Sequence, residues 1–290
     1  MRLVVSVFYT LMLGTLAACA TAQTATPVET SAATEPASAR EYVTIGNPAA
    51  LKSDSATVLI TGSNRGIGLE FVRQLTERGW NIIATARKPA DAEELQSIAA
   101  NYPQLVIEEL DVTDFDRIDA LAEKYSAVPI DILLSNAGIV PRYKSAFAKA
   151  EGVDWEMARL SYEVNAMAPL KLSQAFMANV EASGQKKIVV ISSKAGSFEL
   201  GPKMPMMYSY RSSKAALNMF MYTLSFETKR NDVILTMLSP GQVNTTPGFS
   251  MKGNIEPDES VGKMLRVIDG LSADNNGQFL DYEDGRLLEW

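Results

Sequence analysis

The chain has 290 residues, of which 47% are hydrophobic and 21% charged, so it holds enough apolar material for a full globular core. Its net charge of −7 argues against nucleic acid as a partner, because phosphates repel an acidic surface. It contains no histidine, which excludes Ser-His-Asp catalysis and most zinc sites, and its single cysteine excludes an intrachain disulfide. We therefore expect no bound metal.

An export signal is predicted at the start of the chain. Arg2 is followed by an apolar run of about 16 residues, Leu3 to Ala18, which is short for a membrane-spanning helix and typical of a signal. The run leads into Leu16-Ala17-Ala18-Cys19, which resembles the bacterial lipobox, where a peptidase cuts before the cysteine and its sulfur receives a diacylglycerol. We expect residues 1–19 to be a lipoprotein-type signal and Cys19 to be the lipid attachment point.

This interpretation places the protein outside the cytoplasm, as a lipoprotein anchored on the periplasmic face of a bacterial membrane. Ala20, which follows the cysteine, is not the aspartate that retains lipoproteins at the inner membrane, so the outer membrane is the expected destination. Two alternatives stay open. The signal is an ordinary cleaved one with Cys19 removed or incidental, or there is no signal and the protein is cytoplasmic.

A polar segment separates this signal from the predicted domain. Residues 20–53 are rich in Ala, Thr, Ser, Pro and Glu and show no lasting apolar periodicity. The composition predicts a disordered tether, within which Tyr42–Ile45 is a candidate for a short ordered patch. The remaining residues, 54–290, are expected to form a single folded domain.

A glycine-rich turn follows the first predicted strand. Thr57-Val58-Leu59-Ile60 is a short apolar run, and the letters TGSNRGIG at 61–68 lead from it into an apolar helical pattern. This order of strand, turn and helix presents backbone N–H groups and a positive helix end to a pyrophosphate. The predicted cofactor contacts in the turn are Gly62, Asn64, Arg65, Gly66, Ile67 and Gly68.

Basic residues follow the second predicted strand, 81–86. Enzymes that prefer NAD usually place an acid at that strand end, where it binds the ribose 2′-hydroxyl. This chain has Arg87 and Lys88 there, and Arg65 in the glycine turn. These cations suit a 2′-phosphate, so we expect NADP in preference to NAD. The alternative is that Arg65 and Lys88 are solvated loop charges.

Short apolar strands alternate with helical segments along the rest of the chain. This alternation predicts an α/β fold, a Rossmann-like doubly wound parallel sheet of about seven strands with helices on both faces. A helix is expected over about 257–271. The further predicted strands are 105–110, 130–135, 187–193, 233–238 and 277–282.

A tyrosine and a lysine four residues apart, Tyr210 and Lys214, lie on one face of a predicted helix. A phenol is a poor proton donor at neutral pH, but a nearby ammonium and an oxidised nicotinamide lower its pKa. Such a tyrosine can deliver the proton that hydride transfer to a carbonyl requires. The pattern alone carries little weight, because a surface pair of Tyr and Lys at this spacing is common.

Five segments in this order resemble the short-chain dehydrogenase/reductase family, and the resemblance covers about residues 56–290. Within the family, the stretches YSYRSSKAALNMF and NGQFLDYEDGRLLEW look most like the sniffer and C-factor carbonyl reductases. The segments are TGxxxGxG at 61–68, Asn-Ala-Gly at 136–138, the strand-end serines at 192–193, YxxxK at 210–214 and PGxVxT at 240–245.

The resemblance implies hydride transfer between NADP(H) and a small carbonyl or alcohol. Tyr210 would donate the proton, Lys214 would tune it and orient the ribose, and Ser193 would hold the carbonyl. The family serine usually precedes the tyrosine by 13 residues, a count that fits Ser197, whereas Ser193 precedes it by 17. Ser193 is preferred because loops absorb insertions more easily than strands do. Asn165 would carry a water linking the lysine to solvent; the alternative is a polar helix residue satisfied locally.

The resemblance also implies contacts from loops at the other strand ends. Asp111 would contact the adenine, although a helix N-cap toward Phe115 is the alternative. A mobile loop over about 246–256 is expected to close over substrate. The other implied cofactor contacts are Val112, Asn136, Ala137, Gly138, Pro240, Gly241, Val243 and Thr245.

Two further points concern partners and activity. The resemblance implies a homodimer or homotetramer that pairs through the helices containing Asn165 and Tyr210. A second hypothesis is a lipid-anchored signalling or sensor protein that binds the nucleotide without turnover, because NADPH is not regenerated outside the cytoplasm. The intact catalytic set argues against this second hypothesis, since a binder has no chemical need for it.

Overall fold

The structure is a computed structural model that describes residues 41–141, 146–245 and 252–290. Cys19, the signal and most of the predicted loop over 246–256 lie outside the described residues. Within them, eight strands form one sheet. The strands are β1 Thr44–Ile45, β2 Thr57–Ile60, β3 Asn81–Ala86, β4 Leu105–Glu109, β5 Ile132–Ser135, β6 Lys187–Ile191, β7 Ile234–Ser239 and β8 Phe279–Asp281.

The strands lie in the order β1-β4-β3-β2-β5-β6-β7-β8. The seven strands β2 to β8 are parallel, as predicted, and β1 adds an antiparallel edge, with Thr44 opposite Glu108. The chain winds outward from β2 to β4 and then returns to the other side of β2 as β5. In open α/β sheets, ligands bind at the carboxyl ends of the strands where the order reverses in this way.

The described helices cover both faces of the sheet, as predicted. None of these helices has the length and apolar character needed to cross a bilayer. One turn of π-helix, Glu163–Met167, joins the fourth and fifth helices. The helices are α1 Gly66–Glu77, α2 Glu93–Asn101, α3 Phe115–Lys124, α4 Trp155–Tyr162, α5 Ala168–Ala175, α6 Met177–Glu181, α7 Tyr208–Thr228 and α8 Pro257–Asp269.

Each strand contributes to two hydrophobic cores because successive side chains point to opposite faces. In β2, Val58 and Ile60 enter the core that α1 and α8 cover. Leu59, between them, enters the core that α5 and α7 cover. The second core lies directly beneath the inner face of α7, so packing fixes the helix that carries the predicted catalytic pair.

The predicted tether ends earlier than expected, because residues 42–51 belong to the folded domain. They form β1 and a short 3₁₀-helix, Pro48–Ala50, against the sheet edge. Polar contacts hold this segment, which explains why no apolar periodicity marked it. The fully buried carboxylate of Glu108 accepts a hydrogen bond from Thr44 Oγ1 at 2.9 Å. The domain therefore begins near residue 41 and not at 54.

The carboxylate of Glu108 accepts hydrogen bonds from three more side chains beneath β1. Arg117 Nη2 lies 3.1 Å, Lys124 Nζ 2.6 Å and the Tyr125 hydroxyl 2.6 Å from oxygens of Glu108. Tyr42 covers this group, with its ring 4.2 Å from the Arg117 guanidinium carbon. A buried charge needs partners of this kind to offset the loss of hydration. We call residues 42–45 the N-terminal clasp.

Candidate active site

The glycine turn between β2 and α1 is shaped by close backbone contacts. Gly62 and Gly66 have φ of +69° and +57°, in the left-handed region that favours glycine. A Cβ on Gly62 would lie 2.9 Å from Ala137 Cα, and one on Gly68 would lie 2.2 Å from Gly62 O. Side chains at these positions would therefore displace the backbone, and the N-terminal N–H groups of α1 would lose their open approach.

Asn136 fixes this turn from the neighbouring strand end. Its Nδ2 donates to the carbonyl oxygens of Thr61 and Gly62, at 2.9 and 3.1 Å. In return, the Thr61 hydroxyl accepts from the backbone N–H groups of Asn136 and Ala137, at 3.1 and 3.0 Å. The amide of Asn136 is thus used in holding the turn, and its contact with a cofactor stays a prediction.

The two arginines predicted to bind a 2′-phosphate lie on the surface near the turn. Arg65 is the residue before α1, and Arg87 follows β3 directly. Both side chains are exposed, and within the described residues neither forms an ion pair. Lys88 instead approaches Asp91, with 3.9 Å between Nζ and the carboxylate. Within the described residues, Arg65 and Arg87 therefore have no ionic partner and remain available to bind a 2′-phosphate.

At the end of β4, the structure separates the two roles considered for Asp111. The N-cap of α3 is Asp114, whose Oδ1 accepts from the backbone N–H of Arg117 at 2.9 Å. Asp111 instead accepts from the backbone N–H and hydroxyl of Thr113, at 3.0 and 2.8 Å. The N-cap alternative was therefore wrong, and the adenine contact stays a prediction. Val112 is buried in the core, and its contact with a cofactor stays a prediction.

The segment after β7 returns to the glycine turn. Pro240 is buried and its carbonyl accepts from Ser260 at 2.7 Å, while Val243 pairs with Ile255. Beyond them, Thr245 lies against the turn, since a Cβ on Gly66 would be 3.3 Å from Thr245 Cβ. The predicted nicotinamide segment and the predicted pyrophosphate turn are thus in contact at the carboxyl ends of the strands.

Tyr210 lies on α7 beside the end of β6, where the Ser193 side chain is close enough to its phenol to affect the pKa. Burial raises the pKa of Tyr210, and the Ser193 side chain acts in the opposite direction. Ser197, the alternative serine, is used elsewhere: its hydroxyl accepts from the backbone N–H groups of Glu199 and Leu200, at 3.1 and 2.8 Å. The structure therefore brings Ser193 to the phenol and leaves Ser197 in a loop turn.

Lys214 is buried one helical turn beyond Tyr210. Its side chain donates to the carbonyl oxygen of Ile191 at 2.8 Å, and the residue is only 5% exposed. Burial lowers the pKa of Lys214 to about 8. A Cβ on Gly138 would lie 3.8 Å from the Lys214 ammonium and 3.3 Å from Asn165 Oδ1. The Asn-Ala-Gly segment, the lysine and Asn165 therefore converge on one point.

Asn165 sits in the π-helical turn and is fully buried. Its Oδ1 accepts from the Ile139 N–H at 2.8 Å, and its Nδ2 donates to Ile139 O and to Ser213 Oγ, both at 3.0 Å. The amide is therefore satisfied across the site and not within its own helix.

Two residues of the site were missed in the sequence. Thr61 was read only as a letter of the glycine motif, yet its hydroxyl bridges to the next strand end. Ser213 connects Asn165 to α7 and donates to the Tyr210 carbonyl at 2.9 Å. Its spacing of three residues from Tyr210, on the same helical face, was the available signal. Within the described ranges, no group of three metal-ligating side chains occurs.

Hydride transfer to a carbonyl requires a dinucleotide-binding turn and a proton donor in one cleft. The carboxyl ends of these strands carry both, in the glycine turn and Tyr210. That combination defines an oxidoreductase that uses a dinucleotide. A family model described as short chain dehydrogenase matches residues 56–257, and the chain belongs to that family.

The chain is similar to known oxidoreductases and carbonyl reductases. An uncharacterized oxidoreductase of Schizosaccharomyces pombe is 32% identical over 251 residues, which cover 80% of this chain and 96% of that protein. The crystal structure of NADPH-bound carbonyl reductase from chicken fatty liver is 36% identical, with a TM-score of 0.74 and coverage of 81% of this chain and 99% of that one. Carbonyl reductase Sniffer of D. melanogaster is 29% identical, with a TM-score of 0.75 and coverage of 81% and 100%. The predicted likeness to this subgroup is confirmed.

The lowered pKa of Lys214 predicts how stability changes with pH in the absence of cofactor. Between about pH 8 and the ordinary value of 10.5, the unfolded chain keeps the Lys214 proton while the native state has released it. The free energy of unfolding therefore rises with pH in this window, by at most about 1.4 kcal/mol per pH unit from this group. Urea unfolding at about pH 7.5, 8.5 and 9.5 measures the slope, and Lys214→Met should reduce it.

Lys187, whose pKa burial also lowers, is present in both proteins, so the comparison isolates Lys214. Equal slopes in wild type and Lys214→Met would show that Lys214 keeps an ordinary pKa in the native state.

Proposed function

We propose that the protein is an NADP(H)-dependent carbonyl reductase, which transfers a hydride between nicotinamide and a small carbonyl or alcohol. The observation that carries this proposal is that Tyr210 and Ser193 lie together beside the buried ammonium of Lys214, which is bound to Ile191 O at 2.8 Å. The solved relatives named above support it, because one of them is a carbonyl reductase with NADPH bound. Arg65 and Arg87 support NADP over NAD as the cofactor.

The three side chains divide the work at the substrate oxygen. NADPH, when bound, supplies the hydride. Ser193 hydrogen-bonds to the carbonyl oxygen and holds it beside Tyr210, which gives its phenolic proton to the oxygen as negative charge develops there. The raised pKa keeps Tyr210 protonated at neutral pH, which is the form that reduction requires. A pKa of about 8 leaves Lys214 mostly charged at neutral pH, and its charge stabilises the phenolate that results.

Asn165 would help to restore the proton after each turnover. Its side chain fixes the loop after β5 to α7, through Ile139 and Ser213. We expect it to carry a water near Lys214, because the two side chains converge at Gly138. Such a water would connect the lysine with solvent. The alternative of a nucleotide sensor without turnover is not favoured, since binding alone needs none of this proton chemistry.

Tyr210→Phe tests the proton donor. Removal of one hydroxyl should lower the rate of NADPH-dependent reduction of aldehydes, ketones and quinones by about 10²- to 10⁴-fold, the usual contribution of a general acid. The dissociation constant for NADPH, measured by fluorescence titration, should change little. Equal turnover numbers in wild type and Tyr210→Phe would remove Tyr210 from the mechanism.

Arg65→Ser and Arg87→Ser test the choice of cofactor. Each charge-assisted hydrogen bond to a phosphate contributes about 1.5–3 kcal/mol, so each variant should bind NADPH roughly 10- to 100-fold more weakly. Affinity for NADH, which has no 2′-phosphate, should stay within a few-fold. Lys88→Ser is the matched control, because this neighbouring cation already approaches Asp91. Equal losses for NADH and NADPH would contradict recognition of the 2′-phosphate.

We also propose that Cys19 carries a lipid that anchors the enzyme on the periplasmic face, at the outer membrane. The lipobox-like residues before it support this location. In cells treated with globomycin, the unprocessed precursor should accumulate as a larger band, and Cys19→Ala should release the protein from the membrane fraction. A protein that fractionates with the cytoplasm in both forms would contradict the anchor.

We infer that two or four copies associate through the helices around Asn165 and Tyr210. Large apolar side chains on the outward face of α7 support this arrangement. Met219, Tyr222 and Phe226 are 64%, 43% and 58% exposed, at spacings that place them on one face.

A further inference from the structure

The inner face of α7 carries a third polar residue beyond the tyrosine and the lysine. Asn218 follows Lys214 by four residues, so it lies one helical turn further along the same face. It is 3% exposed, and its Oδ1 accepts a hydrogen bond from Ser192 Oγ at 2.6 Å. The reaction scheme above assigns a role to neither Asn218 nor Ser192.

The three polar residues of α7 lie beside three consecutive positions at the end of β6, and two of them form hydrogen bonds there. Lys214 donates to the carbonyl of Ile191, and Asn218 bonds to the side chain of Ser192. The next residue along the chain is Ser193, the proposed substrate-binding serine, whose side chain lies next to the Tyr210 phenol. The Ser192–Asn218 bond therefore lies between the two contacts that the chemistry uses. It fixes the side chain immediately before Ser193.

Burial of the Asn218 amide is energetically unfavourable. Its Nδ2 is buried and has no hydrogen-bond partner within the described residues, as is also true of Ser135 Oγ. An unpaired buried donor is unfavourable, and an apolar side chain of the same shape would avoid the cost. The backbone N–H of Ser192 is already bound to Leu238 O at 2.8 Å, so strand pairing does not depend on the amide. What the amide adds is the orientation of the strand end.

We propose that Asn218 is a positioning residue for the proposed reduction: through Ser192 it fixes Ser193 relative to Tyr210. This inference rests on the proposed function. Proton transfer needs the carbonyl oxygen within hydrogen-bond reach of both hydroxyls, and a shift of about 1 Å in such a group can cost roughly 10²-fold in rate. Asn218 itself touches neither substrate nor cofactor.

Three variants of the full chain test this role: Asn218→Leu, Ser192→Ala and the double variant. Asn218→Leu replaces the amide with an apolar group of similar size, and Ser192→Ala removes only the donor of this hydrogen bond. Each single variant should lower kcat about 10- to 100-fold, while the dissociation constant for NADPH stays within twofold. Because both changes break one bond, the double variant should be no slower than the slower single variant.

Asn179→Leu is the matched control. Asn179 is a buried asparagine that donates to the carbonyls of Tyr125 and Val128, at 2.7 and 3.0 Å, away from α7. It should lower the melting temperature and leave the kcat of the folded protein unchanged. A comparable fall in kcat in this control would show that loss of any buried amide slows the enzyme, and it would overturn the positioning role.

The remaining outcomes are also decisive. If wild type reduces carbonyls and Ser192→Ala and Asn218→Leu keep kcat within twofold, the positioning role is wrong and the proposed function stands. If their effects multiply in the double variant, the two residues act separately and the role is also wrong. If wild type binds NADPH and reduces none of the aldehydes, ketones and quinones, the proposed function fails, and this inference fails with it.

Discussion

The buried ammonium of Lys214 determines much of the architecture around it. A charge at a site with 5% exposure is unfavourable, and the lowered pKa of Lys214 records that cost. Within the described residues, a hydrogen bond to the carbonyl of Ile191 at the end of β6 offsets part of this cost. Burial also raises the pKa of Tyr210, so desolvation shifts the pKa values of the phenol and the ammonium in opposite directions and moves them apart. The phenol therefore stays protonated at neutral pH, next to an ammonium that is still mostly charged.

This arrangement depends on backbone features that ordinary helices and strands do not provide. The π-helical turn at Glu163–Met167 carries Asn165 into contact with the loop after β5. Gly138 leaves room where the lysine and Asn165 converge, and glycine at 62 and 68 lets the turn approach the next strand end. π-Helical turns are frequent at functional sites. Here each irregularity lies next to a group that the proposed chemistry uses.

The sequence predicted the elements whose signals are local. The seven parallel strands are short apolar runs, and the Tyr210–Lys214 spacing places both residues on one helical face, because each pattern depends only on neighbours in the chain. Contacts between segments that are distant in the chain were harder to predict from the sequence. Spacing favoured Ser197 and strand position favoured Ser193, and only the fold shows which serine meets the phenol. Similarly, Asp111 and Asp114 are three residues apart, and composition could not tell which one caps α3.

The N-terminal clasp was predicted only as a candidate ordered patch. Its place at the edge of the sheet was not predicted, because the partners of its polar residues lie more than 60 positions away. It also sets a limit on how the enzyme can be shortened. The family match begins at residue 56, so a recombinant catalytic domain cut to that boundary would lose Tyr42 and Thr44. The Glu108 carboxylate would then face water on one side, and the bare edge of β4 could pair with strands of other molecules. A soluble preparation that keeps the edge covered should start before Tyr42.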